Sequence, residues 1–436
     1  MKVRLITAAA VSAALVGIAG CGSGSSSAGG SGGSGTTLTY WASNQGASLQ
    51  DDQKVLQPEL DKFQKQTGIK VNLQVIGWPD LQNKILAATT SGNGPDVLNI
   101  GNTWAPSLQA TGAFLPFGDA EFKAIGGKDK FVPASLATGG MAGKEPTSVP
   151  LYSLVYGLYY NKKMFADAGL KPPTTWEELQ DAAKKLTDKS KGVYGMAMEG
   201  GSYTEGVHFA FIFGQQQDSN PFTTDGKADF TSAGQVQGVK QYVDLMADGV
   251  VNPSSAQYKN GPEAPGDFAK GKAAMLMSQN NADNTLVADG MKSDEYGVVA
   301  IPAPANAPKD TASFVAGINL SIFKNTKNKD AALKFVNFMT SEDEQKIFDK
   351  PFAALPVLKG VTPNFTDNAE EAKTFQEILN TRAVPLPLVP NEAAYETNVG
   401  NAVVQLTAQA ATGKAPTDDD IKAALQKAQD TMAAAG

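Results

Sequence analysis

Glu199 and Glu205, six positions apart in "EGGSYTE", are the carboxylate pair that could act as acid and nucleophile on a glycosidic bond. Little else in the chain suits covalent chemistry. There is one cysteine, Cys21, and one histidine, His208, in 436 residues; a single sulfur and a single imidazole are too few for a thiolate zinc site, and one cysteine allows no intramolecular disulfide. The same residues suit non-covalent chemistry better. Planar amides donate to and accept from hydroxyl groups, carboxylates accept strongly from them, and a flat indole covers the apolar C–H face of a pyranose ring.

Amides and aromatics recur where strand-like runs end. Ser43, Asn44, Gln45 and Gly46 follow "LTYW", which closes on Trp41; Trp78 stands in "IGWPD"; Asn102, Thr103 and Trp104 follow "DVLNIG". Tyr152 and Tyr156 lie in "LYSLVYGLYYN", where alternation sends neighbours to opposite faces. Glu199, Tyr203, Glu205 and His208 follow "VYGMAM", Asn280 and Asn281 follow "AAMLM", and Asn319 lies inside "GINLSIF". Ligands of open α/β sheets sit beyond the carboxyl ends of strands, so Trp41, Asn44, Gln45, Trp78, Thr103, Trp104, Tyr152, Glu199, Tyr203, His208, Asn280, Asn281 and Asn319 form the candidate binding set. Structural roles compete at several of them. Asn44 and Gln45 suit a helix-capping loop, Trp78 suits packing, His208 precedes the apolar "FAFIFG", and Asn319 suits a strand interior. Trp176, Tyr159 and Tyr160 read as core.

The elements that position these residues alternate. An apolar-periodic stretch with Leu56, Leu60 and Phe63 ends at Gly68, with Pro58 expected to kink or restart the helix. "IKVNLQVI" then alternates as a strand, "DLQNKILAATTSG" is helical and "DVLNIG" is a strand. This order implies parallel pairing with right-handed crossovers and helices on both sheet faces. Thr175 with Glu178, and Ser341 with Glu344, spell capping boxes at two later helix starts. Strand-like runs return late, at "YGVVAIP" and "GINLSIF", which a single early-closing domain does not explain.

The chain opens with Lys2 and Arg4 before "LITAAAVSAALVGIA", the pattern of a secretory signal and too short for a permanent span of about 20 residues. Residues 22–35 are glycine and serine with one alanine, a flexible tether reaching roughly 20 Å. The net charge of −7 becomes −9 once Lys2 and Arg4 leave with the signal, and no basic run is present, which argues against nucleic acid. Hydrophobic content of 42% with 19% charged residues fits a folded α/β protein of two units.

"IAGC" resembles a bacterial lipobox, which implies lipidation of Cys21 and a signal peptide over 1–21. Across residues 36–436, "YWASNQG", "FQKQTGIKVNLQV", "NGPDVLNIGNTWAPSLQATGAFLPF", "LYYNKKMFADAGLKPPTTWEELQDAAKKL", "FAKGKAAMLM" and "DAALKFVNFMTSEDEQKIFDK" stand in the order found in the extracellular sugar-binding proteins of ABC importers, the solute-binding group that includes maltose-binding proteins, and the chain resembles that family. The resemblance implies a two-lobed α/β fold of the type II periplasmic-binding-protein kind with three crossover segments, expected near 147–155, 312–318 and 353–360. Lobe 1 would then hold 36–150 and 316–352, and lobe 2 would hold 151–315 and 353–436. It implies sugar contacts at 102–104 and in the loop from Glu199, a structural role for Asp96 in "GPDVL", and an aromatic platform where Asn280 and Asn281 stand here, a departure from the family pattern. It further implies a monomer at the outer face of the cell membrane, held there by the lipid, with a sugar or oligosaccharide as ligand, an ABC permease as partner and no cofactor. Other cargoes within the same fold, such as a polyamine, phosphate ester or metal, would need several cleft carboxylates or a basic cluster. An exported glycosidase is the alternative from another class, and no catalytic motif or barrel-like element order supports it.

Overall fold

"LTYW", "KVNLQVI" and "DVLNIG" do become strands, and eleven strands run through the described residues: β1 (Thr37–Ser43), β2 (Lys70–Ile76), β3 (Val97–Gly101), β4 (Ser148–Leu154), β5 (Tyr156–Asn161), β6 (Tyr194–Ala197), β7 (Ala273–Gln279), β8 (Tyr296–Val299), β9 (Ser313–Phe314), β10 (Ala316–Ile322) and β11 (Ala383–Val384). The computed structural model describes residues 35–435, apart from 47 and 260. The signal-like head and Cys21 lie outside the described residues, as does nearly all of the Gly/Ser run.

The strands form two separate main sheets, ordered β2-β1-β3-β10-β4 and β6-β7-β5-β8, and a short ribbon of β9 with β11. Parallel pairing holds where helices connect consecutive strands, at β1–β2, β1–β3 and β6–β7. It fails for β10, antiparallel to both β3 and β4, and for β5, antiparallel to both β7 and β8, because each follows the preceding strand through a one-residue link instead of a crossover helix. No described helix is long and apolar enough to cross a membrane.

Local sequence explains the helices that frame the first sheet. Ser48 caps the helix Leu49–Thr67 by accepting from the Asp51 N–H, Leu56, Leu60 and Phe63 turn inward, and Gly68 ends it at φ +73°, where a side chain would be strained. Pro58 neither stops nor restarts this helix. It is exposed, as is Lys54 one turn before it, so the carbonyl that the proline leaves without an intrahelical partner lies on the wet face. Thr175 caps Trp176–Leu186, though Glu178 accepts from the Thr174 N–H and hydroxyl instead of closing a box, and Trp176 is buried with its ring centroid 4.9 Å from that of Phe213. Ser341 likewise caps Glu342–Phe352, but Glu344 completes no box there: its carboxylate turns to Lys62 at 2.6 Å. Asp96 serves structure, accepting the Thr39 N–H at 2.8 Å and bonding Thr326 and Asn328 across the sheet end.

Two short links and a third segment lie side by side between the sheets. Val155 joins β4 to β5, and Val315 joins β9 to β10. Leu355 exchanges both backbone hydrogen bonds with Ser153 at 2.9 Å. Asn280, wholly buried, ties two of these segments: its Oδ1 accepts the Val155 N–H at 2.9 Å and its Nδ2 donates to the Ala353 carbonyl. Ser313 Oγ accepts the Tyr156 N–H at 2.8 Å. Gly317 adopts φ +146°, and a Cβ there would sit 2.3 Å from the Tyr152 carbonyl oxygen, so the approach of β10 to β4 requires glycine. Residues 36–436 thus hold together as one unit built on two sheets.

Candidate functional site

The carboxyl ends of β1, β2 and β3 bring Gln45, Trp78, Thr103 and Trp104 to one edge of the first sheet. Gly77 caps the helix Trp78–Ser91, which places Trp78 at its first position, and Trp104 ends the short turn Asn102–Trp104 after β3. The two indoles meet edge to face, centroids 5.3 Å apart at 76°, the favourable quadrupole arrangement. Both stay partly exposed. Gly101 makes the approach close, since a Cβ there would lie 3.3 Å from the Trp104 ring and 3.6 Å from that of Trp78. Asn102 anchors the turn by donating to the Val315 carbonyl at 2.8 Å.

The loop after β1 is organised by a residue that sequence reasoning missed. Asp52, fully buried, accepts the Gln45 and Gly46 N–H groups at 2.7 and 2.6 Å and the Asn44 side-chain amide at 2.7 Å. Asn44 is therefore committed to its own loop. Gln45 is different: its Oε1 is buried with no hydrogen-bond partner, an unmet acceptor at the site's edge.

Across from the first sheet, the end of β6 and the head of the helix Tyr203–Gln216 carry Glu199, Tyr203, Glu205 and His208. Ser202 caps this helix, and the loop before it is pinned by Gly200 N–H to the Ser255 carbonyl and Gly201 N–H to that of Tyr258. Glu199 and Glu205 line one small cavity with Met198, Phe209, Tyr242 and Met277. Burial first, then the Glu205 carboxylate, holds the Glu199 carboxyl well above the ordinary range. Tyr156 Oη donates to Glu205 Oε1 at 2.6 Å and lies 2.9 Å from His208 Nδ1. The other imidazole nitrogen is 3.6 Å from Glu396 Oε1, an ion-pair distance, and Phe314 lies against the ring at 4.4 Å. Burial, the largest influence, pulls the His208 imidazolium down, but Glu205 and Glu396 together outweigh it and leave it raised to about 9. A charged imidazole then donates toward the Tyr156 oxygen, whose own O–H donates to Glu205. Glu396 and Glu392, on the helix Glu392–Ala411, and Phe314 are partners that no local motif signals.

Four candidates go to the interior. Trp41 packs in the cluster of Ile76, Leu81, Ile85 and Leu98 beneath the helix Trp78–Ser91, with Lys84 Nζ 4.4 Å over its ring. Tyr152 is buried with its ring 5.7 Å from Phe352. Asn319 donates to Ser148 Oγ at 2.9 Å and the Thr138 carbonyl at 3.1 Å inside the sheet, and Asn280 is taken up between the connecting segments as above. In each case buried backbone or apolar surface claims the side chain before any ligand can. Asn281 and Thr103 remain partly exposed.

The protonation of these interior groups sets a pH dependence. Burial pushes Asp349 and Glu371 up to about 8, and His208 stands at about 9. All three hold protons in the folded state that the unfolded chain releases above about 4 for the acids and about 6.5 for the imidazole. Folding therefore binds protons, and the stability they contribute is present at low pH and lost as pH rises through about 8 to 9. Thermal unfolding midpoints should fall between about pH 6 and pH 9; a rising midpoint over that range contradicts the assignment.

Among the described residues no group of three or more His, Cys, Asp or Glu is arranged to hold a metal ion. The arrangement is one of recognition: two indoles and an unmet amide face beyond one sheet, and carboxyls and a tyrosine beyond the other, joined through the connecting segments. The chain is similar to known proteins in sequence and in fold. The diacetylchitobiose binding protein DasA of Streptomyces coelicolor is 28% identical over 447 residues, covering 96% of each chain, and a putative binding protein of Brucella abortus is 25% identical over 341 residues, covering 77% of this chain and 76% of the relative. In structure, the solute-binding protein of Thermotoga lettingae bound with alpha-D-tagatose superposes with a TM-score of 0.75 at 25% identity, covering 91% of this chain and all of that one. The sugar-binding protein MalE of Xanthomonas citri gives 0.76 at 22% identity over 92% and 98%, a likeness of fold that establishes the two-lobed α/β architecture. The model of the bacterial extracellular solute-binding proteins matches residues 8–346, and the chain is a member of that family.

Proposed function

We propose that this protein is a lipid-anchored receptor on the outer face of the cell membrane that captures a sugar or oligosaccharide between its two lobes and delivers it to an ABC permease, without breaking a bond. In this reading lobe 1 comprises 36–150 with 316–352 and lobe 2 the remainder, Cys21 carries the lipid, and residues 22–35 form a leash that keeps a monomeric receptor concentrated at its transporter. The observation that carries the reading is the Trp78–Trp104 pair at the strand ends, a surface suited to pyranose C–H faces, opposite hydroxyl-accepting carboxyls. The binding of sugars and polyols by several relatives supports it. Closure needs lobe positions that differ by only a few kcal/mol, so that ligand contacts shift the population and the permease can reverse it.

A phosphate-ester cargo, as in the sn-glycerol-3-phosphate-binding relatives of Brucella and Rhizobium meliloti, fits the second sheet's edge poorly. The helix N-terminus at Ser202, which would otherwise attract an anion, already has the Glu205 carboxylate in its first turn. The test is a thermal-shift and calorimetric screen over disaccharides and oligosaccharides with the products analysed afterwards. Saturable stabilisation with the sugar recovered intact is expected. No stabilisation by any sugar, or release of reducing ends at catalytic rates, overturns the proposal.

A further inference from the structure

His208 stands where the two short links between the sheets converge. Its ring forms a cluster of three with Tyr156 and Phe314: the centroids are 5.9 Å apart for Tyr156 and His208, 4.4 Å for His208 and Phe314, and 5.7 Å for Tyr156 and Phe314. Tyr156 directly follows the link residue Val155, and Phe314 directly precedes the link residue Val315. Ser313, wholly buried, staples these two neighbours of the imidazole together. Its Oγ accepts the Tyr156 N–H at 2.8 Å and donates to the Phe314 carbonyl at 2.6 Å. The second link also reaches the first sheet's edge, because the Val315 carbonyl takes the Asn102 amide that anchors the turn bearing Thr103 and Trp104.

The imidazole nitrogens face the groups that hold it in place. Nδ1 lies 2.9 Å from Tyr156 Oη and 3.9 Å from Glu205 Oε1, and Nε2 lies 3.6 Å from Glu396 Oε1. The titratable groups that face it are therefore Tyr156 from β5, Glu205 from its own helix and Glu396 from the helix Glu392–Ala411, with Glu199 acting on Glu205's side and Glu392 on that of Glu396. A ring packed this closely has little room to turn alone, so a movement of Tyr156 or Phe314 either carries it along or breaks its pairing. We infer that His208 is a positioning residue that ties the ligand-facing head of its helix, where Glu205 stands, to both links, so that a change in the angle between the sheets is felt at Glu205. It is buried and acts through Tyr156 and Glu205, touching no ligand itself. This goes beyond the sugar reading and holds for any cargo.

The chain has a single histidine, so in the full mature protein carrying 13C-labelled histidine one imidazole signal reports the protonation midpoint of His208 by NMR. Ser313→Ala removes the staple between Tyr156 and Phe314 without altering the imidazole or its carboxylates. It should move the midpoint by at least about 0.5 unit, because the surroundings of the ring change with the links. Glu396→Gln should lower the midpoint, since one of the two carboxylates that favour the charged ring is gone. A loss of stability alone leaves a native-state midpoint where it was, which separates positioning from a purely structural role. A smaller movement in Ser313→Ala, or an unmoved midpoint in Glu396→Gln, overturns the inference. Should Ser313→Ala fail to fold, Asn102→Ala, which cuts the tie between Val315 and the first sheet's edge, takes its place with the same two outcomes. No sugar enters the experiment, so its failure leaves sugar capture standing and the failure of sugar capture leaves it intact.

Discussion

Trp104→Ala lowers the affinity for the captured sugar by roughly thirty- to a hundredfold, whereas Trp176→Ala leaves affinity within a few-fold and costs about 3–5 kcal/mol of folding stability. Both are tryptophans near the start of a helix, yet their surroundings differ. Trp104 keeps part of its indole in water, braced edge-on by Trp78 and seated over Gly101. Its removal deletes a rigid aromatic surface of the kind that dominates recognition energy, about 2–3 kcal/mol, and frees Trp78 to turn. Trp176 is 5% exposed against Phe213 and Leu179 within the core, so truncation leaves a cavity. Calorimetry and thermal unfolding on both variants check this. Equal losses of affinity contradict the placement of the site.

Asn280→Leu should cost about 2–5 kcal/mol of stability although it exchanges one buried side chain for another of similar size. The asparagine satisfies the Val155 N–H and the Ala353 carbonyl at once. Leucine leaves both backbone groups buried and unpaired, at about 1–3 kcal/mol each. Because those groups belong to two of the segments joining the sheets, the variant should also loosen the coupling between them, which denaturant unfolding will report as a lower midpoint or a broadened transition. A loss below about 1 kcal/mol would show that the amide is not what holds these segments together.

These two residues mark what was legible in the sequence. Helix starts at Thr175 and Ser341, the left-handed stop at Gly68 and the strand ends before Gln45 and Trp104 follow from local rules, whereas the structural duty of Asp96 was implied by the family resemblance. The orientation of β10 does not, because an apolar run reads the same in either direction and its antiparallel course depends on where the chain crosses. Asn280 and Asn319 have the composition of ligand contacts, and only the three-dimensional neighbourhood shows that the backbone N–H of Val155 and the carbonyl of Thr138, each more than a hundred residues away in sequence, bond to them. Trp41 ends a strand as Trp104 does, but the alternation of side chains turns it under the helix Trp78–Ser91. Phe314, Glu392 and Glu396 reach the site through tertiary contacts alone, whereas Asp52 bonds residues six to eight positions before it. A buried aspartate in the first turn after a capping serine was the single local signal available among them.

Small-angle scattering with and without a sugar that calorimetry shows to bind tests the central claim most directly. Capture by closure of two lobes about the segments at 153–156, 313–316 and 353–355 predicts a radius of gyration that falls on saturation, as hinge closure requires. An unchanged radius at full occupancy would contradict it.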